Sequence, residues 1–376
     1  MKILHTSDLH LGKKLLEEPF YEDQKYILGE IIKIVKEKEI DVVMMPGDIY
    51  DKSLPSAEAS MLFDNFITNL SKINVKLLIT SGNHDSNERL SYGSKIFNEA
   101  EIYISTSYEG QIEKVSLDDI DFYLLPFLKP FHIKHLMDKE EYENIKNSND
   151  MMKWILSKEN LNKDKKNILL AHQFVMLDGK TPKQTDSESI SLNIVGTLDA
   201  IDANLLDDFD YVALGHIHKP QCIKRETIRY SGTPLKYSFS EVEDEKSVVI
   251  IDSDNIEEIE LVKLNPLREM KVLEGTFEQV MNMEPSDDII MVILEDENPI
   301  ISPMETIRQR FKNAIKLEFK NKYKIIENKA SKIEIKEDDS PYELFNLFFE
   351  EQNGRKMTNE EDNFIKSLIE SLEGDD

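Results

Sequence analysis

Five short stretches of the sequence carry side chains that could bind metal ions together. Five of the chain's eight histidines fall in them, whereas randomly placed histidines would be scattered. Carboxylate, imidazole and amide-oxygen ligands favour intermediate divalent ions such as manganese or iron over zinc held by thiolates. The stretches are Asp8-Leu9-His10, Gly47-Asp48, Gly82-Asn83-His84-Asp85, Ala171-His172 and Gly215-His216-Ile217-His218.

The spacing within these stretches favours two ions over one. His216 and His218 are separated by one residue, as are Asp8 and His10, so on extended backbone both side chains of a pair point the same way. Each pair could therefore reach two ions about 3.5–4 Å apart. One carboxylate must bridge such ions, and Asp48 is the candidate because the glycine before it permits a tight turn.

Strand-like runs rich in Ile, Val and Leu end at or just before each of these stretches. Because the carboxyl ends of neighbouring parallel strands form one edge of a sheet, residues distant in sequence are expected to converge there. Helical periodicity at 26–38 and 57–70 predicts an α/β architecture with covered sheets. The predicted strands are 2–5, 41–45, 75–80, 122–125, 167–171, 211–214 and 247–251.

The remainder of the chain has a different pattern. Residues 128–164 are polar and predicted to be mostly helical, lying over the sheet. A small α+β unit follows, with strands at 269–273 and 289–295, helices at 277–283 and 304–313, and extended chain from 314 onward.

Two capping boxes, Ser340-Pro341-Tyr342-Glu343 and Thr358-Asn359-Glu360-Glu361, then predict two short amphipathic helices, the first ending at Gly354. The predicted domains are 1–265, 266–336 and 337–376.

The bulk composition excludes several classes of protein. At 376 residues, 40% hydrophobic and 32% charged, the chain fits a globular protein of more than one domain. Without a run of 18 apolar residues no membrane span is expected, and the start of the sequence lacks the pattern of a secretion signal, so secretion is not expected. The single cysteine, Cys222, fits a reducing cytoplasm. The net charge of −27 argues against a stand-alone DNA binder unless metal ions or a basic partner offset it.

The order of these motifs resembles that of the calcineurin-like metallophosphoesterases: D-x-H at Asp8, G-D-x-x-D at Asp48 and Asp51, then G-N-H-D, a lone histidine, and G-H-x-H. Two further stretches are similar to SbcD nucleases, bacterial relatives of the eukaryotic recombination nuclease. These are Asp85-Ser86-Asn87-Glu88-Arg89-Leu90 and the segment from Tyr230-Ser231-Gly232-Thr233-Pro234 to Ser238-Phe239-Ser240-Glu241. The resemblance covers essentially the whole chain and implies an α/β/β/α sandwich, a small α+β capping domain and a C-terminal helical pair.

The resemblance also implies roles for the site residues. His84 would stay off the metals and face the phosphate, as a general acid or to stabilise the transition state. Two divalent ions are expected, with Mn²⁺ preferred. One ion would be held by Asp8, His10, Asp48 and His218, and the other by Asp48, Asn83, His172 and His216.

The implied activity is that of a DNA exonuclease and endonuclease subunit acting at double-strand ends and hairpins in repair and recombination. Cleavage of double strands from 3′ to 5′ and of single strands internally is expected. An SbcC-type coiled-coil ATPase would bind residues 340–372, and a homodimer in the cytoplasm is expected. Archaeal and eukaryotic relatives tend to carry a histidine where this chain has Asp51, so a phosphate contact by that histidine does not carry over to this chain.

Several alternatives stay open from the sequence. The chain could be another phosphodiesterase or phosphatase of the superfamily, or a non-catalytic scaffold for DNA ends. The helical pair could dock on its own domain instead of a partner. Asp51 and Asp85 could orient histidines or be solvated loop acids. His5 is expected to pack beneath the site, and His132 and His135 to be ordinary surface residues.

Overall fold

The computed structural model describes residues 1–188, 199–296, 298, 300–320, 341–353 and 355–373. It divides into two compact units, Met1–Val272 with Asp287–Ile289, and Leu273–Ser286 with Ile290–Asp376. The finer division into three domains stays a prediction. Within the described ranges, no helix is long and apolar enough to cross a membrane.

Strands and helices follow one another along most of the chain. The strands are β1 Lys2–His5, β2 Lys14–Leu15, β3 Glu18–Pro19, β4 Val42–Pro46, β5 Lys76–Thr80, β6 Ile102–Ser105, β7 Glu113–Leu117, β8 Ile120–Leu125, β9 Lys166–His172, β10 Val175–Met176, β11 Ile201–Asp202, β12 Tyr211–Gly215, β13 Gln221–Ile223, β14 Arg225–Tyr230, β15 Ser247–Asp252, β16 Asn255–Lys263, β17 Met270–Gly275, β18 Ile289–Leu294 and β19 Ala314–Phe319. The α-helices are α1 Tyr21–Lys38, α2 Ala57–Ser71, α3 Asn87–Leu90, α4 Ser94–Phe97, α5 Lys139–Tyr142, α6 Ser148–Ser157, α7 Phe277–Asn282, α8 Pro303–Arg310, α9 Pro341–Asn353 and α10 Asn359–Glu373. Short 3₁₀ helices cover Asn98–Ala100, Pro130–Leu136, Ala203–Leu206 and Phe239–Glu241.

Two six-stranded sheets form the first unit. The order of the first is β16-β15-β1-β4-β5-β6, and that of the second is β13-β14-β12-β9-β8-β7. β1, β4, β5 and β6 run parallel, as do β14, β12, β9 and β8, while the outer strands pair antiparallel. The predicted α/β class is therefore confirmed, and the parallel strands bring their carboxyl ends to one edge of each sheet.

The two sheets pack face to face, and alternation along the strands explains how. In β8, Phe122 and Leu124 point into the core between the sheets, whereas Tyr123 and Leu125 point into a second core on the outer face. Because successive residues of a strand face opposite sides, a strand buried on both faces reads as a continuous apolar run. Residues of β1, β4 and β5 line the other side of the same inner core.

Helices cover both outer faces, which completes the predicted α/β/β/α sandwich. Helix α2 packs against β5 and α1. On the opposite face, α6 buries Met151, Met152 and Ile155 against the second sheet. This helix belongs to the polar segment 128–164, whose predicted helical character is confirmed.

Most of a three-stranded sheet, β17-β18-β19, lies in the second unit with α7 and α8, while the first residues of β17 and β18 belong to the first unit. Its core includes Val280, Val292, Ile307 and Phe311. In the following helical segment, Thr358 and Glu361 form the predicted capping box: each backbone N–H donates to the other side chain. The other predicted cap residues, Ser340 and Gly354, and the extended chain predicted beyond 320 lie outside the described residues.

Candidate metal centre

The strand ends of both sheets supply the site. Asp8 and His10 follow β1, Asp48 follows β4, and Asn83 and His84 follow β5, all in the first sheet. The second sheet supplies His172 at the end of β9 and two histidines, His216 and His218, just past β12. The structure brings all seven proposed metal ligands and His84 together, as the strand pattern predicts.

One oxygen of Asp48 lies at the centre of the cluster. Its Oδ2 is 3.3 Å from His172 Nε2, 3.6 Å from His10 Nε2 and 4.0 Å from His84 Nε2. The other oxygen, Oδ1, accepts a hydrogen bond of 2.9 Å from the backbone N–H of His84. Asp48 is therefore fixed through one oxygen while the other faces three imidazoles, which is the geometry a bridging ligand needs.

One half of the site contains Asn83, His172 and His216. The Oδ1 of Asn83 lies 3.1 Å from His172 Nε2 and 2.9 Å from His216 Nδ1. The other nitrogen of His172, Nδ1, is 2.9 Å from the carbonyl oxygen of Pro46, which can only accept a hydrogen bond. A neutral His172 therefore carries its proton on Nδ1, and the Nε2 lone pair faces the Asp48 carboxylate. A cation between these acceptors would satisfy both.

The other half contains Asp8, His10 and His218. The Nε2 atoms of His10 and His218 lie 3.0 Å apart, and burial holds the pKa of both imidazoles well below the ordinary value. The Nδ1 of His10 is buried without a hydrogen-bond partner, 3.6 Å from an oxygen of Asp51. Two neutral imidazoles that face each other through ring nitrogens fit a shared metal ion.

The electrostatics of the cluster favour added positive charge. Burial raises the pKa of Asp8 to about 7. Burial alone would lower the pKa of His172, but the nearby Asp48 carboxylate outweighs it and raises that pKa to about 9. Three overlapping groups have ligand atoms within 4.8 Å of one another: Asp8, His10 and His218; His10, Asp48 and His84; and Asp8, Asp48 and His172. This donor set fits a dinuclear metal site.

Backbone strain is concentrated at the same residues. Asp8, His10 and Asp48 have φ of 54°, 45° and 50°, and His216 has φ of 102°. Positive φ is uncommon for residues other than glycine and costs of order 1–3 kcal/mol at each position. Four of the seven proposed ligands are therefore held in conformations that the surrounding fold must impose. The extended backbone expected for Asp8, His10 and His216 is wrong, and tight turns orient these side chains instead.

The site is buried on one side and open on the other. Asp8, His10, Asp48, His172 and His218 are each at most 2% exposed. Asn83, in contrast, is exposed, and His84 and His216 are partly exposed. Among the described residues, the edge that these three residues form is therefore the side of the site that a substrate can reach.

His84 is held differently from the other histidines. Its Nδ1 lies 2.8 Å from the carbonyl oxygen of Asp51, which places the Nδ1 proton there and turns Nε2 toward Asp48. The geometry admits His84 either as a ligand alongside His10 and Asp48 or as an acid facing the phosphate. The second role stays a prediction.

Asp51 and Asp85, whose roles the sequence left open, both make defined contacts in the structure. Asp85 accepts hydrogen bonds from the backbone N–H groups of Gly82, Ile49 and Tyr50, so it ties the loops after β4 and β5 together. Asp51 pairs with Lys13 at 2.9 Å. Neither carboxylate accepts a hydrogen bond from a histidine ring among the described residues.

Of the histidines outside the motifs, His5 is fully buried, with its ring nitrogens 3.0 Å from the Tyr211 hydroxyl and 3.2 Å from the Leu214 carbonyl, as expected. His135 is exposed, as expected for a surface residue. His132 is partly buried, and its Nδ1 accepts a hydrogen bond from the backbone N–H of Lys129.

The sequence motifs do not include a partly buried hydrogen-bond network around His218. The side chain of Ser187 lies 2.6 Å from His218 Nδ1, and the backbone N–H of His218 donates to Glu188 at 2.8 Å. Glu241 and Lys246, both buried, pair at 2.6 Å beneath them. Glu241 closes one of the stretches that resemble SbcD nucleases, but the sequence alone assigns it no role.

Comparisons with known proteins extend these findings. Residues 1–220 match the family of calcineurin-like phosphoesterases. Residues 266–353 match a family described as the type 5 capsule protein repressor C-terminal domain. The chain is 32% identical over 377 residues to the D subunit of the nuclease SbcCD of Staphylococcus epidermidis, and the alignment covers 98% of each protein.

Among solved structures, the chain is similar to a dimetal phosphatase from Danio rerio, with a TM-score of 0.40 and 13% identity over 70% of this chain and 96% of that one. It is also similar to the phosphoesterase Yfce of E. coli, with a TM-score of 0.29 and 14% identity over 70% and 100%. The sequence matches, one over more than half of the chain and one over nearly all of it, are decisive: the chain belongs to the calcineurin-like phosphoesterases and, within them, to the SbcD-type nucleases.

Proposed function

We propose that this chain is the two-metal nuclease subunit of an SbcCD-type complex, hydrolysing DNA phosphodiesters at double-strand ends and hairpins in repair and recombination. The observation that carries the proposal is the single Asp48 oxygen that faces the imidazoles of His10, His84 and His172. The end-to-end similarity to an SbcCD nuclease component supports DNA as the substrate.

In this proposal the buried residues bind and orient, and His84 moves a proton. Two bound divalent ions, Mn²⁺ in our proposal, would offset charge on the phosphoryl oxygens and activate water for attack. His84 would protonate the leaving oxygen through Nε2, since Nδ1 is held by the Asp51 carbonyl. One ion would be held by Asp8, His10, Asp48 and His218, and the other by Asp48, Asn83, His172 and His216.

The expected partner is an SbcC-type coiled-coil ATPase that binds residues 340–372. Four large apolar side chains in these helices are between 40% and 63% exposed, which supports docking against a partner. They are Leu344 and Phe348 in α9 and Phe364 and Leu368 in α10. A homodimer and a cytoplasmic location complete the proposal. A basic partner surface would also offset the net charge of −27 where the complex meets DNA.

Digestion of a linear DNA duplex labelled at one end tests the nuclease proposal. The purified chain is incubated with Mn²⁺, with Mg²⁺ or with chelator, alone and with the ATPase subunit, and the product ladder shows the polarity of cleavage. We expect cleavage that requires Mn²⁺ and proceeds from 3′ to 5′, with internal cuts in single-stranded substrates. Chelator should abolish both activities.

Two histidine variants in the same digestion test the role of His84. His84→Gln is expected to lower cleavage by about 10²–10⁴-fold, the usual contribution of a general acid, while Mn²⁺ binding is retained. His135→Gln, which removes an exposed histidine elsewhere, should cleave at the wild-type rate. Turnover of a bis-aryl phosphodiester without cleavage of DNA in the complex would point to a small-substrate enzyme. Full DNA cleavage by His84→Gln would contradict its proposed role.

A further inference from the structure

The hydrogen bonds around His218 define a chain that runs from the proposed metal ligand through the partly buried Ser187 to the buried Glu241 and Lys246. His218 Nδ1 lies 2.6 Å from Ser187 Oγ, and the Ser187 hydroxyl donates to Glu241 Oε1 at 2.6 Å. A carboxylate can only accept, so the hydroxyl proton lies toward Glu241 and the serine oxygen accepts from His218 Nδ1–H. His218 then keeps its lone pair on Nε2, the atom 3.0 Å from His10 Nε2.

The Glu241 carboxylate, the acceptor at the end of this chain, is held by an ion pair with Lys246. Glu241 is fully buried, and its Oε2 accepts from Lys246 Nζ at 2.6 Å. Lys246 also donates to the His218 carbonyl at 2.9 Å, so the same cation holds the backbone of the histidine. Burying two charges is costly. In this network Lys246 contacts the main chain of His218 directly, and Glu241 reaches the His218 ring through Ser187.

We propose that Ser187, with Glu241 and Lys246 behind it, is a positioning residue that fixes the tautomer and orientation of His218 for one of the two metal ions. The inference rests on the two-metal site of the proposed function. Hydrogen bonds that orient metal-binding histidines typically contribute 10–100-fold to metal affinity. Ser187 lies outside every motif that suggested the site, in a loop segment far from the strand ends in sequence.

Replacement of Ser187 should leave the fold intact. Oε1 of Glu241 also accepts from Ser238 Oγ at 2.8 Å and from the Tyr237 N–H at 3.3 Å, so it keeps two donors in Ser187→Ala. Lys246 keeps its bond to Glu241. The Thr185 hydroxyl, 2.9 Å from Ser187 Oγ, loses this partner, and the remaining change is to the proton position and orientation of the His218 ring.

Titration of the full chain with Mn²⁺, followed by calorimetry and by electron paramagnetic resonance, tests the inference. We expect wild type to bind two ions, and Ser187→Ala to bind one normally and the other about 10–100-fold more weakly, with loss of the signal of a coupled manganese pair. Ser187→Thr, which restores a hydroxyl, should recover both sites. Ser157→Ala, which removes an exposed hydroxyl of α6, should match wild type.

The metal-free melting temperature separates positioning from a structural role. It should be the same for wild type, Ser187→Ala and Ser187→Thr. Wild-type affinity at both sites in Ser187→Ala would overturn the inference, as would weaker binding accompanied by a lower metal-free melting temperature. A wild-type chain that binds no Mn²⁺ would instead overturn the proposed two-metal site, and the inference with it.

Discussion

Gly82 lies so close to Asp48 that a Cβ atom there would approach the carboxylate Oδ1 and the backbone nitrogen far inside 3.0 Å. The loop after β5 therefore passes directly over the residue after β4. Asp85 ties the same two loops together through its bonds to the backbone of Gly82, Ile49 and Tyr50. The position of the central carboxylate depends on the absence of one side chain.

Gly82→Ala is therefore expected to displace Asp48 and to abolish Mn²⁺ binding, because neither the carboxylate nor the backbone beside it can move without disturbing the cluster. Calorimetric titration with Mn²⁺ measures the effect. Gly29→Ala is the matched control, since a Cβ at Gly29 meets nothing within 4 Å inside α1. It should bind Mn²⁺ normally and gain about 0.5–1 kcal/mol of stability. Equal Mn²⁺ binding by both variants would contradict the steric argument.

Metal binding should stabilise the folded chain through Asp48. At a Mn²⁺ concentration 100 times the dissociation constant, each site should raise the free energy of unfolding by about 2.7 kcal/mol. Asp48→Asn removes the charge at the centre of the cluster and should eliminate this gain, measured by thermal melting with and without Mn²⁺. Asp121→Asn, a buried carboxylate paired with Lys114 and Lys165 away from the site, should lower stability yet keep the response to Mn²⁺. A normal response in Asp48→Asn would exclude it as the bridging ligand.

His5 should make the metal-free protein sensitive to acid. Burial lowers its pKa from 6.5 to about 3 in the fold. Below pH 6.5 this histidine binds a proton in the unfolded chain but not in the folded chain. The free energy of unfolding therefore has its full value above pH 6.5 and falls as the pH drops toward about 3, by about 1.4 kcal/mol per pH unit at most. Urea unfolding across this range in chelator should give a shallower slope for His5→Gln than for wild type, and an unchanged slope for His135→Gln. If the free energy of unfolding falls equally steeply with pH in wild type and His5→Gln, His5 is not the source of the acid sensitivity.

Partner binding should depend on the exposed face of α9. Leu344→Asp with Phe348→Asp places two charges on side chains that are 40% and 57% exposed. We expect loss of co-purification with the ATPase subunit, while hydrolysis of a bis-aryl phosphodiester and the melting temperature of the first unit are unchanged. Asn363→Asp, at an exposed position of α10, adds charge without removing an apolar side chain and should still bind. Retained binding by the double variant would favour another docking surface.

The sequence predicts that the candidate ligands converge, because each lies in a local motif at a strand end and parallel strands bring those ends together. Their roles as metal ligands stay predictions. Other features depend on contacts that local patterns do not encode. Strand β14 contains charged residues, and Arg229 is buried there beside Glu226, so its sequence does not resemble an apolar core strand. Strand β16 is an edge strand with exposed acids. Ser187 reaches His218 only through the tertiary fold.

The candidate ligands come from both sheets: those after β1, β4 and β5 belong to the first sheet, and those at the end of β9 and just past β12 belong to the second. The relative positions of the candidate ligands are thus set by the stacking of the two sheets and not by any single loop. A slip of one residue along a strand is about 3.3 Å, nearly the full separation of paired ions. The apolar layer between the sheets therefore sets how the two groups of candidate ligands face each other. A repacking of that layer that leaves the fold stable is expected to change metal binding all the same.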